Sequence, residues 1–281
     1  MSMKGLEIVV TGATDGIGKV TARELAKKGA NVTVVSRNAE KGERVVKELR
    51  SAAGHNGVQF VQADLMTLKG MRGAAEALKG RLKRLDVLVN NAGAIFQKYE
   101  TTSDGIEKTF ALNHLGYFVL TLGLLDLLKA AERARIVNVA SQAHVGAKLD
   151  FANLQNATSY SAWRAYSQSK LANVYFTYAL AQRLKGTRVT ANCLHPGFVA
   201  SRFGDETSGI FRVLFGIVKS IGAISEEDGA KTSIFLASAP DVADQSGLYF
   251  DKCKAVRSSK VSYDEAAARE LWLASEKLAG L

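Results

Sequence analysis

The 281-residue sequence is poor in proline and cysteine, with only two of each. So few prolines exclude a collagen-like chain or a proline-rich linker. The cysteines, Cys193 and Cys253, are too few for a disulfide framework, and they favour a reduced, cytoplasmic setting. The four histidines show no metal-ligand spacing, so no metal is predicted. We also expect no transmembrane segment, because no signal-peptide pattern and no apolar run of roughly 20 residues occurs.

Positive charge is in excess, with 37 Lys and Arg against 27 Asp and Glu and a formal net charge of +10. Such a balance can serve nucleic acids, acidic membranes or anionic ligands. The cations are spread along the chain, however, and no basic stripe is interleaved with aromatic residues. The sequence therefore predicts no nucleic-acid partner.

Short apolar runs alternate with segments of helical period. The predicted strands cover residues 6–11, 31–36, 58–62, 86–90, 135–140, 188–194 and 247–250. The predicted helices cover residues 17–28, 39–53, 67–82, 112–130, 162–184, 226–237 and 263–278. Such alternation predicts a doubly wound (Rossmann) α/β fold, with a parallel sheet of about seven strands and helices on both faces. Residues 1–281 are interpreted as one domain, with a C-terminal extension over 251–281.

A glycine-rich turn with the spacing GxxxGxG joins the first predicted strand to the first helix. Gly12 would turn where a Cβ clashes, Gly16 would let the backbone approach a pyrophosphate, and Gly18 would allow close helix–strand packing. The helix N-terminus offers free N–H groups to phosphates. A plain strand-to-helix turn is the alternative, but this junction favours nucleotide binding. The predicted cofactor contacts of this turn are Gly12, Thr14, Asp15, Gly16, Ile17 and Gly18.

The end of the second strand favours NADP(H) over NAD(H). An NAD site usually carries a carboxylate there for the ribose 2′-hydroxyl. This chain has Ser36 and then Arg37, whose guanidinium can pair with a 2′-phosphate. Lys41, one turn later, either assists or is surface charge.

Two further strand ends are predicted to contact the cofactor. Asp64, followed by Leu65, would accept the adenine amino group, or it would cap the next helix. Small side chains over Asn91, Ala92 and Gly93 would let the cofactor lie against the backbone.

Four polar side chains form a candidate catalytic set. Tyr166 and Lys170 share one helix face at i and i+4, and a nearby ammonium lowers the pKa of a phenol. Ser141 ends the fifth strand and Asn113 lies in the long helix that follows the fourth. Both positions belong at the carboxyl edge of the sheet, where ligands bind in open α/β folds.

Taken together, TGxxxGIG, NNAG, the strand-end Ser, YxxxK and Pro196-Gly197 resemble the short-chain dehydrogenase/reductase family over nearly the whole chain. The finer resemblance is to its retinol-dehydrogenase-like branch, through the segments at 113–116, 135–144, 166–173, 194–197 and 249–254. Ala140 stands where many relatives have the first of two serines. An N-terminal membrane anchor of many animal relatives is also not found in this sequence.

The resemblance implies an NADP(H)-dependent carbonyl reductase, reversible as an alcohol dehydrogenase. Tyr166 would be the general acid or base, and Lys170 would bind the nicotinamide ribose and lower the pKa of Tyr166. Ser141 would hydrogen-bond the substrate oxygen, and Asn113 would hold a water in the proton relay. The residues expected to position the carboxamide are Pro196, Gly197, Val199 and Ser201.

The substrate is expected to be an apolar carbonyl or alcohol. The predicted walls are the segment 142–163, with Phe151, Tyr160 and Trp163, and a lid over about 200–224. The apolar positions of the second segment recur at helical spacing, so a packed surface helix and a helix that touches a membrane surface are its alternatives. His144 either reaches the pocket or is a structural histidine. A weakly catalytic NADP(H) sensor is the alternative function. The apolar helices would form a homodimer face or cover the sheet.

Overall fold

A computed structural model describes residues 2–198 and 224–281. Its strands are β1 (Glu7–Thr11), β2 (Asn31–Ser36), β3 (Val58–Gln62), β4 (Val87–Asn90), β5 (Ala134–Val139), β6 (Val189–His195), β7 (Tyr249–Asp251) and β8 (Lys254–Val256). Its helices are α1 (Gly16–Lys27), α2 (Ala39–Ala53), α3 (Leu68–Lys79), α4 (Lys108–Phe110), α5 (Gly116–Gly123), α6 (Leu125–Ala130), α7 (Ala162–Arg183), α8 (Glu226–Ser238) and α9 (Glu265–Ala279). The observed bounds follow the predicted ones closely, apart from the long helix at 112–130 and β8.

In the described part of the chain the strands form one sheet in the order β3-β2-β1-β4-β5-β6-β7-β8. Neighbours from β3 to β7 are parallel, whereas β8 is antiparallel to β7. The chain reverses its direction of winding between β1 and β4, which is where ligands bind in such folds. The predicted doubly wound α/β fold is therefore confirmed.

Two apolar layers cover the two faces of the sheet. On one face, α1, α2 and α8 pack through side chains such as Leu25, Leu49 and Leu236. On the other, α3, α5, α7 and α9 pack in a second cluster that includes Phe118 and Tyr175. Because both faces are covered, the inner strands are nearly continuous apolar runs that end in polar residues, as their sequences predict.

The predicted single helix at 112–130 is wrong. The chain enters α4 at Lys108, passes through a π-helical turn at Ala111–Leu115, and then forms α5 and α6 on either side of Leu124. Glu107 starts this helix by accepting hydrogen bonds from the backbone N–H groups of Thr109 and Phe110. Such π-turns are concentrated at functional sites.

The outer face of α7 is covered by α9. The Trp272 ring lies 4.9 Å from the Phe118 ring and 5.9 Å from the Phe176 ring, measured between centroids. The guanidinium carbon of Arg183 lies 3.8 Å from the centre of the same indole. The apolar helices thus cover the sheet and bind α9, and the homodimer stays a prediction.

None of the helices in residues 2–198 and 224–281 combines the length and the apolar character that a bilayer crossing needs.

Replacing Trp272 by Ala should lower the free energy of unfolding by about 3–5 kcal/mol, because it leaves a cavity between α9 and α7. Leu273→Ala is the matched control, since Leu273 is 65% exposed on the same helix. It should change stability by no more than about 0.5 kcal/mol. Urea denaturation followed by circular dichroism measures both, and equal losses would contradict the packing described for α9.

Candidate active site

The glycine turn packs directly against the loop that follows β4. Gly12 has φ of +65°, and a Cβ placed there would lie 2.8 Å from the Ala92 Cα. A Cβ on Gly18 would lie 2.6 Å from the Gly12 carbonyl oxygen and would also meet Asn91. Only glycine fits at both positions, in agreement with the predicted tight turn and close helix packing. Thr14 and Ile17, two further predicted contacts, lie half-buried beside Asp15 and Gly16.

Hydrogen bonds fix the same loop to β1. The Thr11 hydroxyl accepts from the backbone N–H groups of Asn91 and Ala92 at 2.9 and 3.0 Å. The Asn91 side-chain amide donates to the Thr11 carbonyl at 2.9 Å. These three hydrogen bonds therefore hold the ends of β1 and β4 together.

Arg37 and Lys41 differ in their partners. Asp15 caps α1 by accepting from the Gly16 N–H, and its other oxygen pairs with Lys41 Nζ at 2.7 Å. Arg37 is exposed, and its guanidinium makes no ion pair with the residues that the structure describes. Beside it, the Ser36 hydroxyl is buried and finds no hydrogen-bond partner among them. An exposed cation and an unpaired hydroxyl therefore lie at the end of β2.

Of the two interpretations of Asp64, the one that makes it the cap of α3 is wrong. Thr67 caps this helix, by accepting a hydrogen bond from the Gly70 N–H at 3.0 Å. Asp64 accepts from the Met66 N–H at 3.0 Å and is half-buried at the end of β3, next to the buried Leu65.

The side chain of Asn113 clamps the loop after β4 to the π-helical turn. Its Oδ1 accepts from the Ala94 N–H at 2.8 Å. Its Nδ2 donates to the Ala94 carbonyl at 2.9 Å and to the Ser169 hydroxyl at 3.0 Å. Both amide hydrogens are therefore engaged by protein groups.

Ser169 was not among the predicted residues, although its place in YSQSK puts it on the inner face of α7. Its hydroxyl donates to the Tyr166 carbonyl at 2.7 Å while it accepts from Asn113. It thereby connects two of the predicted side chains.

Ser141 and Tyr166 meet through their hydroxyl groups, which are hydrogen-bonded. Ser141 follows β5 and caps a short 3₁₀ turn at Gln142–His144, where its hydroxyl also accepts from the Ala143 N–H at 3.2 Å. Burial raises the pKa of Tyr166 to about 12, and the Ser141 hydrogen bond opposes that rise.

Lys170 lies one helical turn beyond Tyr166 and is 3% exposed. Its Nζ donates to the Val139 carbonyl at 3.0 Å and lies 5.6 Å from the centre of the Tyr166 ring. Burial lowers the pKa of Lys170 to about 7. The predicted lowering of the Tyr166 pKa by Lys170 stays a prediction, while the net shift of that pKa is upward. The physical reason is that burial penalises the phenolate and also leaves the amine only partly charged at neutral pH.

Gly93 lies beside two of the four candidate side chains. A Cβ on this residue would lie 3.2 Å from Asn113 Oδ1 and 3.5 Å from Lys170 Nζ. The carboxyl ends of β4 and β5 thus gather Asn113, Ser141, Tyr166 and Lys170 in one place, as the sequence predicts.

The other predicted contacts lie after β6. Gly197 follows Pro196 with φ of +87°, and the Phe198 carbonyl accepts from the Ile224 N–H at 2.8 Å. Val199, Ser201 and the predicted lid up to residue 223 lie outside the described residues.

Residues of the predicted substrate segment separate into two groups. Trp163 is 47% exposed, and its ring centre lies 6.1 Å from that of Tyr166. Tyr160 instead donates to the Phe96 carbonyl at 2.8 Å and contacts the buried Glu107 at 3.3 Å. It connects two loops, and Phe151 packs against the core. Glu107 has no sequence signal beyond its helix-start position, and burial raises its pKa.

Of the two interpretations of His144, the contacts support a structural histidine. It is 1% exposed, and both ring nitrogens are hydrogen-bonded to backbone atoms. Within residues 2–198 and 224–281, His, Cys, Asp and Glu side chains form no group of three or more that could hold a metal ion.

Comparison with known proteins identifies relatives over the full chain. A family model described as short chain dehydrogenase matches residues 7–208. Retinol dehydrogenase 13 of Homo sapiens is 42% identical, with 100% of this chain and 86% of that protein covered. Retinol dehydrogenase 12 of Mus musculus is 40% identical, with 100% of this chain and 88% of that protein covered.

Solved structures agree with the fold. An uncharacterized protein from Mycobacterium paratuberculosis matches with a TM-score of 0.80 and 33% identity over 99% of this chain and 95% of its own. The RhlG/NADP active-site complex of Pseudomonas aeruginosa matches with a TM-score of 0.72 and 31% identity over 89% of this chain and 95% of its own.

The buried amine should make stability depend on pH. The pKa of Lys170 falls from its ordinary 10.5 to about 7 on folding, so the unfolded chain binds more protons between these values. The free energy of unfolding therefore rises with pH there, by about 2 kcal/mol from pH 7 to about pH 9. Lys170→Met should abolish this rise, and urea denaturation at several pH values measures it.

Lys47→Met, at an exposed position on α2, is the control and should keep the rise. A wild-type profile that is flat over this range would show that Lys170 is not buried as described.

Proposed function

The chain belongs to the short-chain dehydrogenase family, in a branch with the retinol dehydrogenases, and we propose that it is an NADP(H)-dependent carbonyl reductase. The reaction would interconvert an apolar aldehyde or ketone and its alcohol. The observation that carries this proposal is the hydrogen-bonded pair of Ser141 and Tyr166 beside the buried amine of Lys170.

The residues at the carboxyl edge of the sheet fit a dinucleotide. The glycine turn is tight at Gly12 and Gly18, which lets the end of β1 approach the start of α1 closely. A pyrophosphate would bind at the N-terminus of α1, where the helix offers N–H groups and partial positive charge. At the end of β2, Arg37 and the unpaired hydroxyl of Ser36 suit a 2′-phosphate, since no carboxylate of β2 repels it. Asp64 remains the proposed partner of the adenine. When bound, the nicotinamide supplies the hydride.

Tyr166 provides the proton. With its pKa at about 12, the phenol is protonated at neutral pH and can donate to an oxygen that becomes an alkoxide. Ser141, already bonded to the phenol, would hold the same substrate oxygen and stabilise its developing charge.

Lys170 and Asn113 support this proton transfer. The amine, with a pKa of about 7, can return a proton toward Tyr166 and can donate to the ribose hydroxyls. Asn113 holds the Ala94 backbone in place beside Lys170, through hydrogen bonds of 2.8 and 2.9 Å. The proposed water of the relay would have to use an acceptor of Asn113, because both side-chain hydrogens are engaged.

The proposed substrate is bulky and apolar. Three segments that leave the site each expose a large apolar side chain: Val145 at 52%, Trp163 at 47% and Phe198 at 37%. An apolar ligand would cover such surface favourably. The names of the relatives point to retinol, and retinal, long-chain aldehydes, sterol ketones and aromatic ketones are the candidates to test.

Tyr166→Phe should lower kcat for NADPH-dependent reduction by about 10²–10⁴-fold, because it removes the proton donor. NADPH oxidation with a panel of apolar aldehydes and ketones, retinal included, measures the effect. Tyr99→Phe is the control, since Tyr99 is 40% exposed, and it should retain wild-type turnover. Tight NADPH binding with equal, negligible turnover in wild type and Tyr166→Phe would instead support a sensor.

Arg37→Ala should weaken NADPH binding by about 10- to 100-fold and leave NADH binding nearly unchanged, because only NADPH carries the 2′-phosphate. Titration of cofactor fluorescence gives both dissociation constants. Arg44→Ala removes an exposed arginine of α2 and should affect neither. Equal losses for NADPH and NADH in Arg37→Ala would refute the assignment.

A further inference from the structure

We propose that His144 is a positioning residue for Ser141, and that it connects the catalytic turn to the segment that follows β8. The kinetic part of this inference rests on the proposed function, whereas its structural part does not. Three elements meet at His144: the turn after β5, residues 257–263, and β7.

The hydrogen bonds of His144 define its tautomer. Nε2 lies 3.0 Å from the backbone nitrogen of Ser259, which can only donate, so Nε2 is the acceptor. A neutral ring then carries its hydrogen on Nδ1, which lies 2.7 Å from the Ser141 carbonyl oxygen and donates to it. The ring thus joins the backbone of its own turn to that of Ser259, which lies 115 residues beyond His144 in the chain.

The turn that His144 holds is a single 3₁₀ turn with backbone hydrogen bonds of its own. The His144 N–H reaches the Ser141 carbonyl at 3.2 Å, and the Val145 N–H reaches the Gln142 carbonyl at 3.0 Å. Two histidine side chains add to these bonds. The Gln142 N–H donates to Nδ1 of His195 at 3.1 Å, and Nδ1 of His144 donates to the Ser141 carbonyl. The His144 ring is therefore the link between this turn and the segment that follows β8.

The segment on the far side of His144 is anchored to α7, the helix that carries Tyr166. The Tyr178 and Ser258 hydroxyl groups are 2.6 Å apart, and the Tyr175 hydroxyl donates to the Val261 carbonyl at 2.7 Å. His144 therefore closes a ring of contacts that runs from α7 through 258–261 to Ser141.

This ring of contacts ends at the two hydroxyl groups that must share one substrate oxygen. Because α7 positions Tyr166 and His144 positions Ser141, the ring fixes the separation of these groups. A small displacement of a catalytic group costs a large factor in rate. The C-terminal segment thus acts on the reaction without touching the substrate.

Two variants each remove one of the two hydrogen bonds of the His144 ring. His144→Asn retains a donor close to the Nδ1 position and loses the bond to Ser259. His144→Gln extends toward Ser259 and loses the donor to the Ser141 carbonyl. His55→Asn is the matched control, because His55 also joins two backbone segments, with Nδ1 accepting from Gly57 at 3.0 Å and Nε2 bonded to the Ala26 carbonyl at 2.9 Å. It lies before β3, at the opposite edge of the sheet.

Kinetics in a double-mutant cycle tests whether His144 acts through Ser141. In the wild-type background His144→Gln should lower kcat by about 10- to 100-fold with little change in the KM for NADPH. In the Ser141→Ala background the same substitution should lower kcat by less than about twofold, because its target is gone. His55→Asn should leave kcat unchanged. Equal fold losses in both backgrounds would overturn the proposal.

Hydrogen–deuterium exchange gives a second readout that needs no turnover. Amides of residues 139–146 should exchange faster in both His144 variants than in wild type, and at the wild-type rate in His55→Asn. Unchanged exchange over 139–146 would overturn the positioning role. Absence of carbonyl turnover in the wild type would refute the proposed function alone, and the exchange result would still decide the role of His144.

Discussion

The buried amine of Lys170 is the constraint on which the rest of the site depends. It is 3% exposed, and its Nζ reaches the Val139 carbonyl at the end of β5. Burial lowers its pKa to about 7, which is a cost to folding at neutral pH. Three neighbours lie close to Nζ. A Cβ placed on Gly93 would lie 3.5 Å from it, and the ring centres of Tyr117 and Tyr166 lie 5.9 and 5.6 Å away. A buried group that titrates near neutral pH is typical of functional sites, where such a cost in stability is tolerated.

Several other polar groups at the same edge of the sheet are hydrogen-bonded within the protein. Asn113 uses both amide hydrogens, Thr11 accepts two backbone N–H groups, and Ser169 joins Asn113 to α7. The π-helical turn belongs to this arrangement, since it places Asn113 against Ala94. These bonds order the loop at the end of β4, and an ordered loop lowers the entropic cost of binding a ligand.

Local patterns predicted most of the fold. Continuous apolar runs marked the inner strands, and the glycine spacing and YxxxK marked the site. The features that the sequence did not predict are short or depend on non-local contacts. Strand β8 is short: it has three exposed residues and follows a turn in which Lys252 and Cys253 are left-handed. The π-turn depends on the contacts of Asn113 with Ala94, 19 residues away. Ser169, Glu107 and the bonding of His144 depend likewise on partners that only the folded chain brings together.

The pKa values of Tyr166 and Lys170 bear on the proposed proton transfer. Burial keeps the phenol protonated at neutral pH, which is the form that a general acid needs for the proposed reduction. The reverse reaction would use the phenolate, which positive charge near Tyr166 would favour. Lys170 is partly charged near neutral pH and lies one helical turn away, so it could supply part of that charge. The same pair of residues would thus serve both directions of the proposed reaction.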